Sequence, residues 1–271
     1  YVFIRGYDPL LPITVASDSG SVYVSTSSQS YVRQTTALPA DMPNEADGYI
    51  CKVGDSKYPV YYKWTNSTQQ WVESSMASDV IGLSNMPVAV VYSGSSWSID
   101  SSQYEGRYAG DDDTNPAHGF VDNGITGISS HQGRLVLLSR SNVSFSASNR
   151  PRRFWRSTVT SLLDADAIEA GSSQLSNAVF EYAVPFNKDL LVFSEKAQAV
   201  VPTGNAVLTP RNAAVVPVTN YAMDMPSSPV ATGRTIMYCI PRSPGAYGVM
   251  ELVPSTTDSQ YTSLDSTAHI P

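Results

Sequence analysis

Apolar positions along the chain come in short runs, and almost every run is closed by residues that turn the backbone. SVYVSTSS (21–28), GYICKVG (48–54) and YPVYYKW (58–64) mix apolar and polar side chains at short period, with DSG, NEADG and TNST between or beside them. A period near two, bounded by Gly, Pro, Asn and Asp, predicts half-buried β-strands. Residues 1–80 are therefore expected to form a small antiparallel β domain. It closes in a hairpin where Tyr61 and Trp64 face Trp71 across the turn TNSTQQ. A loop-rich stretch containing the acidic run GDDDTNP (110–116) follows.

Beyond residue 125 the pattern repeats. GRLVLLSRSNVSFSAS (133–148) aligns with KDLLVFSEKAQAVVPTG (188–204), each with four apolar residues, a Ser, a short turn and a second strand. GRTIMYCIPRSPGAYGVMELV (233–253) is a weaker third copy with a longer turn. The copies start about 50 residues apart, the spacing of a four-stranded β-propeller blade. Their unbroken apolar runs suit strands buried on both faces, as stacked blades require. LLDADAIEAG (162–171) has helical character but is too short to change the class. The expected fold is all-β: propeller-like blades of short antiparallel strands over 81–271, with residues 1–80 as an inserted β-rich domain. The chain opens at YVFIRGY without Met and stops at HIP, which reads as a central fragment whose propeller continues past the C-terminus.

Composition narrows the chemistry. Hydrophobic residues make up 42% and charged ones 15%, an ordered globular balance, and 18 Pro with 17 Gly leave little room for long helices. The net charge of −7 argues against tight electrostatic binding to DNA or anionic membranes, though not against a protein that handles DNA without gripping it. No run of about 18 apolar residues suggests a membrane span, and no basic-then-apolar leader is present. Cys51 and Cys239 read as free buried thiols. His118, His131 and His269 are not spaced as metal ligands, and no CxxC, Walker loop, GxSxG or dinucleotide fingerprint occurs. No cofactor, metal or catalytic residue is assigned, and an enzyme is not expected.

Four features remain as candidate sites. In GDDDTNP, Asp111, Asp113 and Asn115 match the spacing of a calcium loop with Asp122 at its twelfth position, but Pro116 stands where Gly is needed. Asp111, Asp112 and Asp113 are thus expected as a solvated acidic loop whose turn is set by Asx chemistry. The pairs Asp164/Asp166 and Asp111/Asp113 have the residue type for glycoside hydrolysis, with little specificity in a chain of 24 acids. Trp64, Trp71, Trp97 and Trp155 could stack on sugars or bases, but cross-strand packing in the core accounts for them. RPRRFWR (150–156) concentrates cations and aromatics in an acidic chain. Its arginines, Arg150, Arg152, Arg153 and Arg156, can pair with Asp164, Asp166 and Glu169, with Phe154 and Trp155 as the apolar anchor. A clasp between blades or between subunits is the preferred reading, over a nucleic-acid contact.

The order of motifs adds a resemblance. SNMPVAVVYSG (84–94) with Trp97, then RYAGDDDTNPAHGFVDNGITGISSHQGRLVLLSRSNVSFSAS (107–148), resembles the tail tubular protein B, or nozzle protein, family of short-tailed phages. FWRSTVTSLLDADAIEAGSS (154–173), VPFNKDLLVFSEKAQ (184–198), AVLTPRNAAVVPVTNY (206–221) and LDSTAHIP (264–271) continue it in the same order. YVRQTTALPADMPNEADGYICKVG (31–54) and YYKWTNSTQQWVES (61–74) resemble it as well. Ala167 departs from the proline common after the family's acid-x-acid pair. The resemblance implies a virion structural protein, assembled in the host cytoplasm, six copies of which form a nozzle beneath the adaptor ring of tubular protein A. Such a tube retains the genome, supports tail fibres and conducts double-stranded DNA during ejection. The competing readings are a carbohydrate-binding or polysaccharide-cleaving tail propeller, and a nucleic-acid-binding domain resting on RPRRFWR.

Overall fold

A computed structural model of the chain describes residues 13–18, 21–26, 30–42, 44–55, 57–76, 86, 88–100, 104–204, 206–255 and 261–269. The opening YVFIRGY and the expected boundary at residue 80 lie outside them. Strands dominate, as the short apolar runs predict; the α-helix among the described residues is one turn, α1 (Phe120–Asn123). Two compact units are present.

The first unit takes residues 1–81, 106–116 and 156–161. β1 (Ile13–Asp18) and β2 (Ser21–Thr26) form a hairpin. β3 (Ser30–Val32), β4 (Ile50–Gly54), β5 (Pro59–Thr65) and β6 (Gln70–Ser74) form a sheet in chain order, β3 running parallel to β4 and the others antiparallel. Val32, Cys51 and Val53 make its small core, with Leu38, Tyr62 and Trp71 packed against them. Trp64 lies directly opposite Trp71, as the turn TNSTQQ predicts. Tyr61, three residues before Trp64 on an unbroken ladder, points to the other face, so the expectation that both face Trp71 is corrected by the period of two.

The second unit contains three four-stranded antiparallel meanders in succession. β9 (Gly127–His131), β10 (Arg134–Ser139), β11 (Asn142–Phe145) and β12 (Ile168–Gly171) form the first. The second is β13 (Phe180–Phe186), β14 (Asp189–Ser194), β15 (Gln198–Val201) and β16 (Val216–Thr219). The third is β17 (Val230–Ala231), β18 (Ile236–Ser243), β19 (Ala246–Pro254) and β20 (Tyr261–Asp265). The three sequence repeats coincide with the middle two strands of each meander. LLDADAIEAG ends as strand β12, not helix.

Unbroken apolar runs are possible here because alternate side chains serve different cores. Val136, Leu138, Val143 and Phe145 of the first meander meet Leu190, Val192, Ala199 and Val201 of the second. From the second meander's other face, Leu191, Phe193 and Val200 meet Ile236, Tyr238, Met250 and Leu252 of the third. Leu137, on the first meander's remaining face, packs with Met86, Phe120 and Phe154. At β9 the first two meanders approach so closely that a Cβ on Gly127 would stand 2.2 Å from the Glu181 carbonyl oxygen. Only glycine fits there.

β7 (Ala89–Tyr92) and β8 (Trp97–Asp100) form a separate hairpin in this unit. Val90 pairs with Ile99 and Tyr92 with Trp97, and all four are exposed. Trp64 and Trp155 are buried as expected, but Trp97 is 70% exposed, which corrects its place in a core. Its cross-strand contact is with Tyr92, ring centroids 5.0 Å apart.

Candidate functional site

The strongest polar network is centred on a residue that no motif singles out. Arg134 begins β10 and is 2% exposed. Its Nη1 donates to the carbonyls of Ser146 (2.7 Å) and Asp166 (2.6 Å), and its Nη2 to those of Asp164 (2.8 Å) and Leu208 (3.4 Å). Burial lowers the Arg134 pKa, and the Asp166 charge opposes that shift. A planar guanidinium with five donors suits such a cluster of main-chain acceptors, which are costly to bury unpaired. One charged residue ahead of the wholly apolar LVLL is the sequence signal for it, because a cation in a strand buried on both faces needs dedicated acceptors.

This network explains where the DADA turn points. The Asp164 and Asp166 carbonyls turn toward Arg134, while the Asp164 carboxylate is 76% exposed and lies 3.9 Å from Arg211. The Asp166 carboxylate is buried and accepts the Leu163 N–H at 3.2 Å. Glu169 accepts from the Gly119 N–H (2.8 Å) and the Asn142 amide (3.1 Å). These acids hold turns and strand ends.

The arginine run finds another acid. Arg150 Nε lies 3.4 Å from Glu105 Oε1 and Arg153 Nη1 lies 3.5 Å from Oε2, while the Glu105 N–H donates to the Arg152 carbonyl. Glu105 lies 45 residues before Arg150, so local charge pattern could not identify it. Arg156 belongs to the first unit, where Nη1 donates to the Thr114 carbonyl at 3.3 Å. The apolar anchor is present as expected, with Phe154 and Trp155 buried. Phe154 packs edge-to-face on Phe120 (5.1 Å) and His118 (5.6 Å). His118 is buried and its Nδ1 has no hydrogen-bond partner. Burial lowers its pKa to about 4, against the raising effect of Glu169.

In the first unit the acidic loop is tied to its own backbone. Asp111 Oδ1 accepts the N–H groups of Asp113 and Thr114 and the Thr114 hydroxyl, and Oδ2 accepts the Tyr61 hydroxyl at 2.9 Å. Partial burial would raise the Asp111 pKa; those hydrogen bonds outweigh it and hold the carboxyl below its usual value. Asp112 is exposed at the end of a 2.9 Å pair with the buried Arg107, and the Asp113 side chain is exposed. Glu73 accepts the Val159 N–H and the Thr158 hydroxyl, which fastens segment 156–161 to β6.

The charged side chains described above cap turns, close strand ends and satisfy buried carbonyls. The profile of the bacteriophage nozzle protein family matches residues 8–271, and the chain belongs to that family, a structural component of the phage tail in the virion. It is similar to the tail tubular protein gp12 of Escherichia phage T7, 27% identical over 252 residues, covering 89% of this chain. The chain spans only 31% of that relative's length.

Proposed function

We propose that the chain forms part of the wall of a tail nozzle: a ring of six copies that retains the genome, meets the adaptor ring, supports tail fibres and conducts DNA into the host. The carrying observation is the row of three four-stranded meanders, the middle one buried on both faces, within a chain of the nozzle family. We read the row as consecutive blades of a β-propeller, with the first unit as the inserted β domain. The arginine run, with Asp164 and Asp166, is then a candidate clasp between blades or neighbouring copies, and Asp111 to Asp113 remain a candidate acidic loop. The net charge of −7 supports passage without adhesion, because carboxylates on a channel wall repel phosphate and avoid the counterion-release attraction of a basic wall. Averaged imaging of intact virions tests this reading. A sixfold ring with an axial channel, its wall accommodating this fold, is the expected result. An isolated propeller with no axial channel would overturn it.

A further inference from the structure

The first unit carries a shallow, open cleft of about 360 Å³ on its sheet. Tyr62 and Trp71 form its aromatic surface, with the buried Trp64 behind Trp71, and Leu38 and Pro39 form an apolar wall. Both indole N–H groups are already engaged, Trp64 with Asn66 Oδ1 (2.6 Å) and Trp71 with the Pro39 carbonyl (2.9 Å). Trp71, the partly exposed one of the two, therefore offers the cleft apolar ring surface. Trp71 is only half-buried and meets Trp64 at 5.5 Å with a 63° interplanar angle.

Polar groups enter from the turn and from the 3-10 segment Thr35–Ala37. Thr35, Gln69 and Gln70 line the cavity and are exposed. Gln69 occupies the left-handed region at φ 51°, where Gly or Asn would be less strained, and its Nε2 donates to the Asn66 carbonyl at 3.0 Å. Its amide is thus held by the turn while its oxygen remains an acceptor. Among the described residues, no carboxylate, ammonium or guanidinium lines the cleft. Burial, then the charge of Glu73, raises the Tyr62 pKa, so the phenol is neutral.

We propose that this cavity is a binding site for a neutral hexopyranoside. A pyranose has an apolar C–H face that packs on indole and equatorial hydroxyls that suit amide and threonine groups, which is the pairing this cavity offers. A nucleobase would also stack on indole. It brings phosphate, however, and the Glu73 carboxylate on the strand opposite Tyr62 and the net charge of −7 oppose that. The proposal is of binding alone, as no pair of carboxylates lines the cleft among the described residues. It does not depend on the nozzle reading, and either can fail alone.

The test is saturation-transfer NMR on the whole chain with the methyl glycosides of glucose, galactose and N-acetylglucosamine, and with an oligothymidylate as the nucleic-acid arm. The expected result is saturable binding of at least one glycoside in the millimolar range, with a Trp71→Ala loss of roughly tenfold or more. Trp71→Phe should retain most of the binding, which separates loss of stacking from loss of the sheet. Gln70→Ala, on the exposed rim, should weaken binding roughly threefold with an unchanged melting midpoint. The proposal is overturned if no glycoside saturates up to about 50 mM, well above the millimolar range. It is equally overturned if Trp71→Ala and Gln70→Ala leave binding unchanged, or if the oligothymidylate binds and the glycosides do not.

Discussion

Two arginine sites lie close in sequence and behave in opposite ways. Arg134 is a buried cation that donates to four main-chain carbonyls. The run from Arg150 to Arg156 is the conspicuous one, yet its ion pairing is partly exposed: Arg150 is 57% exposed and shares the half-buried Glu105 with the buried Arg153 at 3.4–3.5 Å. The contrast follows from solvation. An exposed ion pair trades water for a partner of similar value, whereas a buried guanidinium and its carbonyls have no water to return to. Density of charge in a sequence is thus a poor guide to the charge on which the fold depends.

Removing Arg134 should be the most damaging change. Arg134→Met leaves the Ser146, Asp164 and Asp166 carbonyls without their donor and should cost about 3–5 kcal/mol, read by urea denaturation. Arg134→Lys keeps the charge but not the fork, and should recover only part of that loss. An Arg134→Met loss no larger than that of the surface pairs would erase the contrast.

Next in size is an effect of pH on the apolar half of the run. His118 packs on Phe154, and its folded pKa of about 4 lies below the ordinary 6.5. The unfolded chain therefore takes up this proton first. The stabilising contribution is complete above pH 6.5 and falls away as pH drops from there toward 4, by on the order of 3 kcal/mol. Thermal melts between pH 7 and 4.5 should show that slope, and His118→Leu should flatten it.

The guanidinium half of the run should matter least. Glu105→Gln removes the acid shared by the exposed Arg150 and the buried Arg153 and should cost about 1–2 kcal/mol, of which the Arg150 share shrinks in high salt. Arg211→Ala, which releases the exposed Asp164, should change the melting midpoint hardly at all. A large Glu105→Gln effect on self-association of the chain, with no effect on folding, would place the run at a contact between copies.

The strands were legible because LVLLS, LLVFS and IMYC carry apolar side chains at consecutive positions, and such runs in an all-β chain need cover on both sides. The count of four strands per repeat followed from spacing. Pairings between distant segments were not legible: Glu105 with the arginine run, or Arg134 with Asp164 and Leu208, depend on how turns aim carbonyls and side chains. Trp97 was misplaced for a related reason. Cross-strand packing with Tyr92 occurs as the pattern suggests, but a two-stranded hairpin leaves that face open. The acidic run behaved as local chemistry predicts, since Asx turns are set within a few residues.

The faces that meanders one and two share also set a timetable for synthesis. Each meander pairs neighbours in sequence and can form soon after its last strand leaves the ribosome. Its core-facing side stays wet until the next is made, and at about 5–20 residues per second a repeat of about 50 residues takes some 3–10 s. Through that interval Leu190 and Val192 have not yet arrived to cover Val136 and Leu138. Until then the apolar face of the first meander is open to water and to other chains, the condition in which unfinished β structure mispairs.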